Sequence, residues 1–117
     1  MYRERIHLTV RDLAGWNEVI AVLQDLNALA EQLGHPTAVL WTETIGVFNH
    51  IVAEIDHDSL ASYETNTKAL FDHPDFAKHS SRLTAATIEG KGYTELFELA
   101  TPLGDQNALA PNGSPRP

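Results

Sequence analysis

Two histidines lie inside segments that alternate as buried strands do: His7 in RERIHLTV and His50 in VFNHIVAEI. Free imidazole titrates at ~6.5, so a small change of surroundings makes it a base or an acid at neutral pH. Two imidazoles held close in a poorly solvated pocket split into one neutral base and one proton donor. Arg5, in the first of these segments, adds a guanidinium able to hold an anionic or enolate oxygen. This set suits proton abstraction next to a carbonyl, hence cyclisation, isomerisation or cofactor-free oxygenation of an aromatic or polyketide-like molecule. A histidine on a mixed strand face also serves as a hydrogen-bonded structural residue or a dimer contact, and both readings stay open here.

Elements able to position these side chains follow from periodicity. Residues 2–10 alternate, with Glu4, Ile6, Leu8 and Val10 on one face and Arg3, Arg5, His7 and Thr9 on the other. Asp12 is a candidate N-cap, and Leu13, Trp16, Ile20, Leu23, Leu26, Ala30 and Leu33 then recur at helical spacing. Gly34 followed by His35-Pro36 stops that helix. Thr37 to Thr44 and Val47 to Ile55 read as a hairpin turning at Ile45-Gly46. A second helix starts after Asp58-Ser59, is broken by His73-Pro74 and resumes from Asp75 to Ala86. Residues 93–100, YTELFELA, are the last strand.

The order β-α-β-β-α-β predicts an α+β, ferredoxin-like fold: a four-stranded antiparallel sheet, order 4-1-3-2, with both helices on one face. Trp41, Phe48, Val52 and Phe97 cannot all lie on the helix side, so the other face is partly apolar and needs a cover. A second copy of the same sheet supplies one, which predicts a homodimer. The domain is expected over residues 1–103, with residues 104–117, GDQNALAPNGSPRP, as a flexible polar tail.

Composition removes several classes. The 117 residues suit one domain, and the absence of cysteine excludes disulfides, thiolate zinc sites and a cysteine nucleophile. With no leader pattern read at MYRERIHLTV, the expectation is a cytoplasmic protein. The net charge is −8, and from Asp12 to Thr67 there are nine acidic residues and no Lys or Arg. Nucleic acid and anionic membranes are therefore poor partners, and a small-molecule ligand is the better one. No dinucleotide, P-loop or serine-elbow motif is present.

The stretches W-T-E-T-I-G-V-F-N-H-I-V, D-S-L-A and D-H-P-D-F resemble the NIPSNAP family within the dimeric α+β barrel superfamily, over roughly residues 2–100. The resemblance implies the fold, the dimer and a cavity on the barrel face of each sheet. It implies no particular activity. Ile6 and Leu8 stand where the family commonly has an arginine and an aromatic, and IVAEI is less aromatic than the usual strand.

The candidate site on that face has His7 and His50 as the acid–base pair and Arg5 as the orienting cation. Trp41, Phe48, Glu54, Tyr63 and Tyr93 shape or bind, with Glu95 and Phe97 completing one side. A register that sets His7 near His50 places Arg5 near Val52 and Arg3 near Glu54, within cross-strand or diagonal reach. No metal is expected, since no histidine pair has helical ligand spacing. Haem is a second reading with His79 as axial ligand, although few cations are available for its propionates. His35, His57 and His73 sit at element ends and are expected in solvent. A third reading is a dimeric binding or interaction module without catalysis.

Overall fold

The structure is a computed structural model that describes residues 1–100. The expected tail, residues 104–117, lies outside the described residues. The order is β1 (Tyr2–Thr9), α1 (Leu13–Gln32), β2 (Val39–Thr42), β3 (His50–His57), α2 (Leu60–Asp72), α3 (Phe76–Ala86) and β4 (Tyr93–Glu98). The four strands form one antiparallel sheet in the order β2-β3-β1-β4, the ferredoxin-like arrangement anticipated above.

Local chemistry sets the limits of α1. The Asp12 carboxylate accepts from the Gly15 N–H at 2.7 Å, and satisfies one of the free donors of the first turn. Gly15 is needed for another reason: a Cβ there would meet the Ala86 carbonyl oxygen at 2.8 Å. The helix ends at Gly34, whose φ of +70° closes the C-terminus in the left-handed conformation. Its N–H donates to the Glu31 carbonyl at 3.0 Å, and that of His35 to Ala30 at 2.9 Å. Between α2 and α3 the break falls where expected, with His73 extended (φ −69°, ψ 137°) ahead of Pro74.

The core lies between the sheet and the layer of α1 and α3. Leu8, Val10 and Ile51 from the sheet pack with Val19, Leu23 and Ala86. Each such large aliphatic side chain contributes about 1.5–3 kcal/mol by leaving water. Arg82 ties the two helices together, reaching Glu18 at 2.7 Å and Asp25 at 2.8 Å. By contrast α2 has no buried residue and rests over one end of β3.

Two details differ from the expected pattern, the first and third below, and the second decides between two expected arrangements. First, β2 is only four residues long and β3 begins at His50, so Phe48 is in the connecting turn and 90% exposed rather than in a strand. Asn49, the last residue before β3, has a φ of +59°, a conformation that asparagine tolerates better than most residues. Second, the pairs expected within cross-strand or diagonal reach meet on the diagonal, His7 reaching His50 and Arg3 approaching Glu54 to 3.5 Å. His7 lies opposite Val52, Arg5 opposite Glu54 and Arg3 opposite Asp56. Third, His57 is buried, 4% exposed, and its Nε2 is 3.1 Å from the Glu4 carboxylate, itself buried on the helix side of the sheet. A strand-end histidine escapes solvent here because α2 folds Tyr63 and Asn66 over it.

Candidate functional site

The face of the sheet away from the helices carries alternate residues of all four strands. His7 and His50 are both on it, one step off direct opposition, because Thr9 is the residue across from His50. A diagonal pair of this kind is within reach of two long side chains. His7 Nδ1 stands 2.9 Å from His50 Nε2, with the rings edge to edge, 18° from parallel and their centres 5.1 Å apart. Tyr93, opposite His7 on β4, stacks on it at 4.1 Å and 8°.

Each histidine has a carboxylate on its outer side. Glu43, just past β2, accepts from His50 Nδ1 at 2.6 Å. Glu95 on β4 is in hydrogen-bond contact with His7 Nε2. An ionised carboxylate only accepts, so the outer nitrogen of each ring is the donor. The result is a chain, Glu43–His50–His7–Glu95, running across the whole sheet. Its histidines are largely shielded, with side chains 16% and 12% exposed for His50 and His7, while Glu95 is 39% exposed.

The loop from residue 43 to residue 49 holds Glu43 in place. Its second oxygen accepts from the Val47 N–H, so both oxygens are used. Hydrogen bonding from His50, then from that backbone N–H, holds the Glu43 carboxyl below the usual glutamate range. Gly46 makes this possible: its φ is +138°, and a Cβ there would overlap the Glu43 carboxylate.

A second group occupies the other end of the face. Arg5 Nε donates to Glu54 at 2.9 Å, and its guanidinium lies 4.9 Å from the centre of the Phe97 ring. Arg3 forms a two-pronged contact with Asp56 at 2.8 and 3.0 Å, and holds that carboxyl below its usual range. Arg3, Arg5 and Phe97 line a shallow cavity of about 260 Å³ with Met1, Glu98 and Leu99. Trp41 stands opposite Val52 on the open face and is 56% exposed.

Of the residues singled out in the sequence, the fold therefore brings His7, His50, Arg5, Glu54, Trp41 and Tyr93 to one face. Phe48 is at the rim, in the turn. Tyr63 is on the opposite side of the sheet, edge-on to His57 at 5.2 Å, and cannot shape this site. His79, the proposed axial ligand for haem, is on α3, which packs against α1 on the helix side, with Nδ1 buried and unbonded. Among the described residues no group of three or more His, Asp or Glu is placed to hold a metal ion.

Glu43 was not assigned a role from sequence, and Glu95 only that of a wall. Their spacing from the histidines carries no motif. The one local signal is the pairing of Glu43 with Gly46, which reads as a turn in which a side chain folds back.

Comparison with known proteins bears on this arrangement through the fold. No family model matches the sequence, and no curated protein does so. Solved structures do match. A NIPSNAP domain protein from Burkholderia xenovorans superposes with a TM-score of 0.68 at 17% identity, over 86% of this chain and 95% of that one. SnoaB, a cofactor-independent oxygenase from Streptomyces nogalater, gives a TM-score of 0.66 at 17% identity over 89% and 97%. The fold is that of the dimeric α+β barrels. A NIPSNAP family protein from Agrobacterium tumefaciens shares this barrel fold at a TM-score of 0.67 and 13% identity, over 83% and 90%. The face that the helices leave open is the one that carries His7 and His50. No described helix is long and apolar enough to cross a membrane.

Proposed function

We propose that the barrel face is a small-molecule site, completed by a second copy of the chain, where cofactor-independent acid–base chemistry acts on an apolar or aromatic substrate. The reaction class is proton abstraction next to a carbonyl, as in cyclases, isomerases and cofactor-free monooxygenases. The observation that carries this reading is the direct contact of 2.9 Å between His7 and His50 on a face that leaves Trp41 and Phe97 exposed. A paired imidazole system flanked by two carboxylates, beside exposed aromatic rings, is of little use to a sheet that needs only to be soluble. Arg5 is the group that would hold the developing enolate, because only its Nε is taken by Glu54 and the fork keeps further N–H donors. SnoaB, with the same fold, is an oxygenase that works without a cofactor, which agrees with this reaction class.

The test is deuterium incorporation from D2O at the α-carbon of α-tetralone, an aromatic ketone, followed by proton NMR. Exchange above the buffer rate that is lost in His7→Gln and in His50→Gln supports the reading. Equal rates with and without protein would remove it.

One observation favours a second reading, a binding or interaction module without turnover. Both nitrogens of both rings already have partners, so neither histidine offers a free lone pair to a substrate.

A further inference from the structure

From the way the chain Glu43–His50–His7–Glu95 closes its own hydrogen bonds, we infer that it is one proton-sharing unit holding three ring protons, and that Glu95 is the base that meets the substrate. The inference rests on the acid–base reading above and relocates the reacting atom within that site.

Three contacts link the four side chains, and each needs one proton. The outer two are N–H donors, His50 Nδ1 to Glu43 and His7 Nε2 to Glu95, since carboxylates accept. Two neutral imidazoles have only two protons, and both are spent there. The inner contact would then set two lone pairs against each other at 2.9 Å, which is repulsive. A third proton between His7 Nδ1 and His50 Nε2 removes the conflict. One ring is thereby imidazolium, and with two carboxylates the unit has a net charge of −1.

With every ring nitrogen engaged, the entry point must be a carboxylate oxygen. Both oxygens of Glu43 are taken, by His50 and by the Val47 N–H. Glu95 bonds His7 through Oε1, while Oε2 has no hydrogen-bond partner among the described residues. Glu95 is also the more exposed of the two, on the barrel face between Tyr93 and Phe97 and directly opposite Arg5. A ketone seated there has an acidic C–H over Glu95 and its oxygen toward Arg5.

In the step, the C–H bond breaks and its electron pair stays with the substrate as the enolate. The proton forms an O–H bond at Glu95 Oε2. The unit passes from −1 to neutral while the enolate takes up the negative charge beside Arg5, and the reverse step returns the proton. Glu43, at the far end of the unit, draws the positive charge of the shared proton toward His50. Glu43 is a positioning residue: it fixes the His50 ring and the side on which its proton sits.

The experiment pairs two readouts on the full-length chain. Long-range proton–nitrogen NMR on 15N-labelled protein at neutral pH reads the protonation of all four ring nitrogens. The expected spectrum has protonated His7 Nε2 and His50 Nδ1, with the inner nitrogens sharing a third proton. Inner nitrogens that are both fully unprotonated would overturn the three-proton unit. Glu95→Gln keeps an oxygen acceptor for His7 but has no basic oxygen. It should slow α-tetralone exchange by ~100-fold or more, the usual range for a general base, with the His50 nitrogen shifts little changed. Glu95→Asp should recover part of the rate. Exchange untouched in Glu95→Gln but lost in His7→Gln would overturn the role of Glu95 and leave the acid–base function standing. No exchange by the unsubstituted protein would end that function and Glu95 with it, while the ring-nitrogen spectrum still decides the proton count.

Discussion

His7 Nδ1 lies 2.9 Å from His50 Nε2, and neither ring keeps a nitrogen for anything else. A pair so fully bonded is rigid, and its behaviour depends on the two carboxylates outside it. Glu43 comes from a loop and Glu95 from an edge strand, so the properties of the pair are set by the elements farthest apart in the sheet.

The Glu43 loop gives a pH prediction. Hydrogen bonds from His50 and Val47 place the Glu43 carboxyl below its ordinary value of 4.5. A carboxyl with a depressed folded value adds stability above the unfolded value and loses it as pH falls through the folded one. The Val47 amide proton shift should therefore follow Glu43, with a midpoint below 4.5. In Gly46→Ala the added methyl overlaps the carboxylate, and this titration should disappear from Val47. A midpoint at or above the ordinary value would contradict the contact.

Assembly is the next expectation. An exposed Trp41 beside Val52 and an exposed Phe97 on the same face need a cover, and two copies packing sheet to sheet supply it. Sedimentation should find a dimer for the unsubstituted chain and a monomer for Trp41→Glu/Phe97→Glu, with circular dichroism unchanged. A monomeric unsubstituted chain at the highest soluble concentration would count against the shared site.

The buried pair under α2 should act as a unit. Removing one partner leaves a buried polar group of the other without its hydrogen bond, so Glu4→Ala or His57→Ala is expected to cost about 1–3 kcal/mol in urea unfolding. The double change Glu4→Leu/His57→Leu should recover most of the loss, because an apolar pair of similar volume avoids the desolvation penalty. Additive losses would show that the two groups are independent.

Gly15 tests the close approach of α1 to Ala86. Alanine is the better helix former by about 1 kcal/mol, which alone would stabilise. A Cβ at 2.8 Å from a backbone oxygen cannot be relieved by a side-chain rotation, so Gly15→Ala should instead lower stability, by about 1–3 kcal/mol. Thermal unfolding measures the sign directly.

Much of this architecture was legible in the residues. The alternation of Ile6, Leu8 and Val10 and the helical spacing from Leu13 to Leu33 each depend on near neighbours in the chain. So do the stops at Gly34 and His73-Pro74. Element order then limits the sheet to few topologies, and period two groups Arg5 with His7 and His50 with Val52, while which of the two faces packs on the helices waited for the structure. The site was legible only in part, because its second half came from residues with no periodic signature.

What the sequence determined by itself was therefore which residues share a face: a strand's alternation is local geometry and needs no partner. What the tertiary structure alone decided was which residues touch. Glu43 reaches His50 only because a seven-residue stretch, from residue 43 to residue 49, folds back instead of continuing the hairpin. His57 is buried only because α2 lies over it, which also puts Tyr63 on the far side of the sheet from the site. The structure set His7 diagonal to His50 and not directly across from it, and a two-residue step in register keeps every side chain on its face while exchanging its partners. The hydrophobic pattern is indifferent to such a step, so the choice falls to packing, charge pairing and the turn that joins the strands.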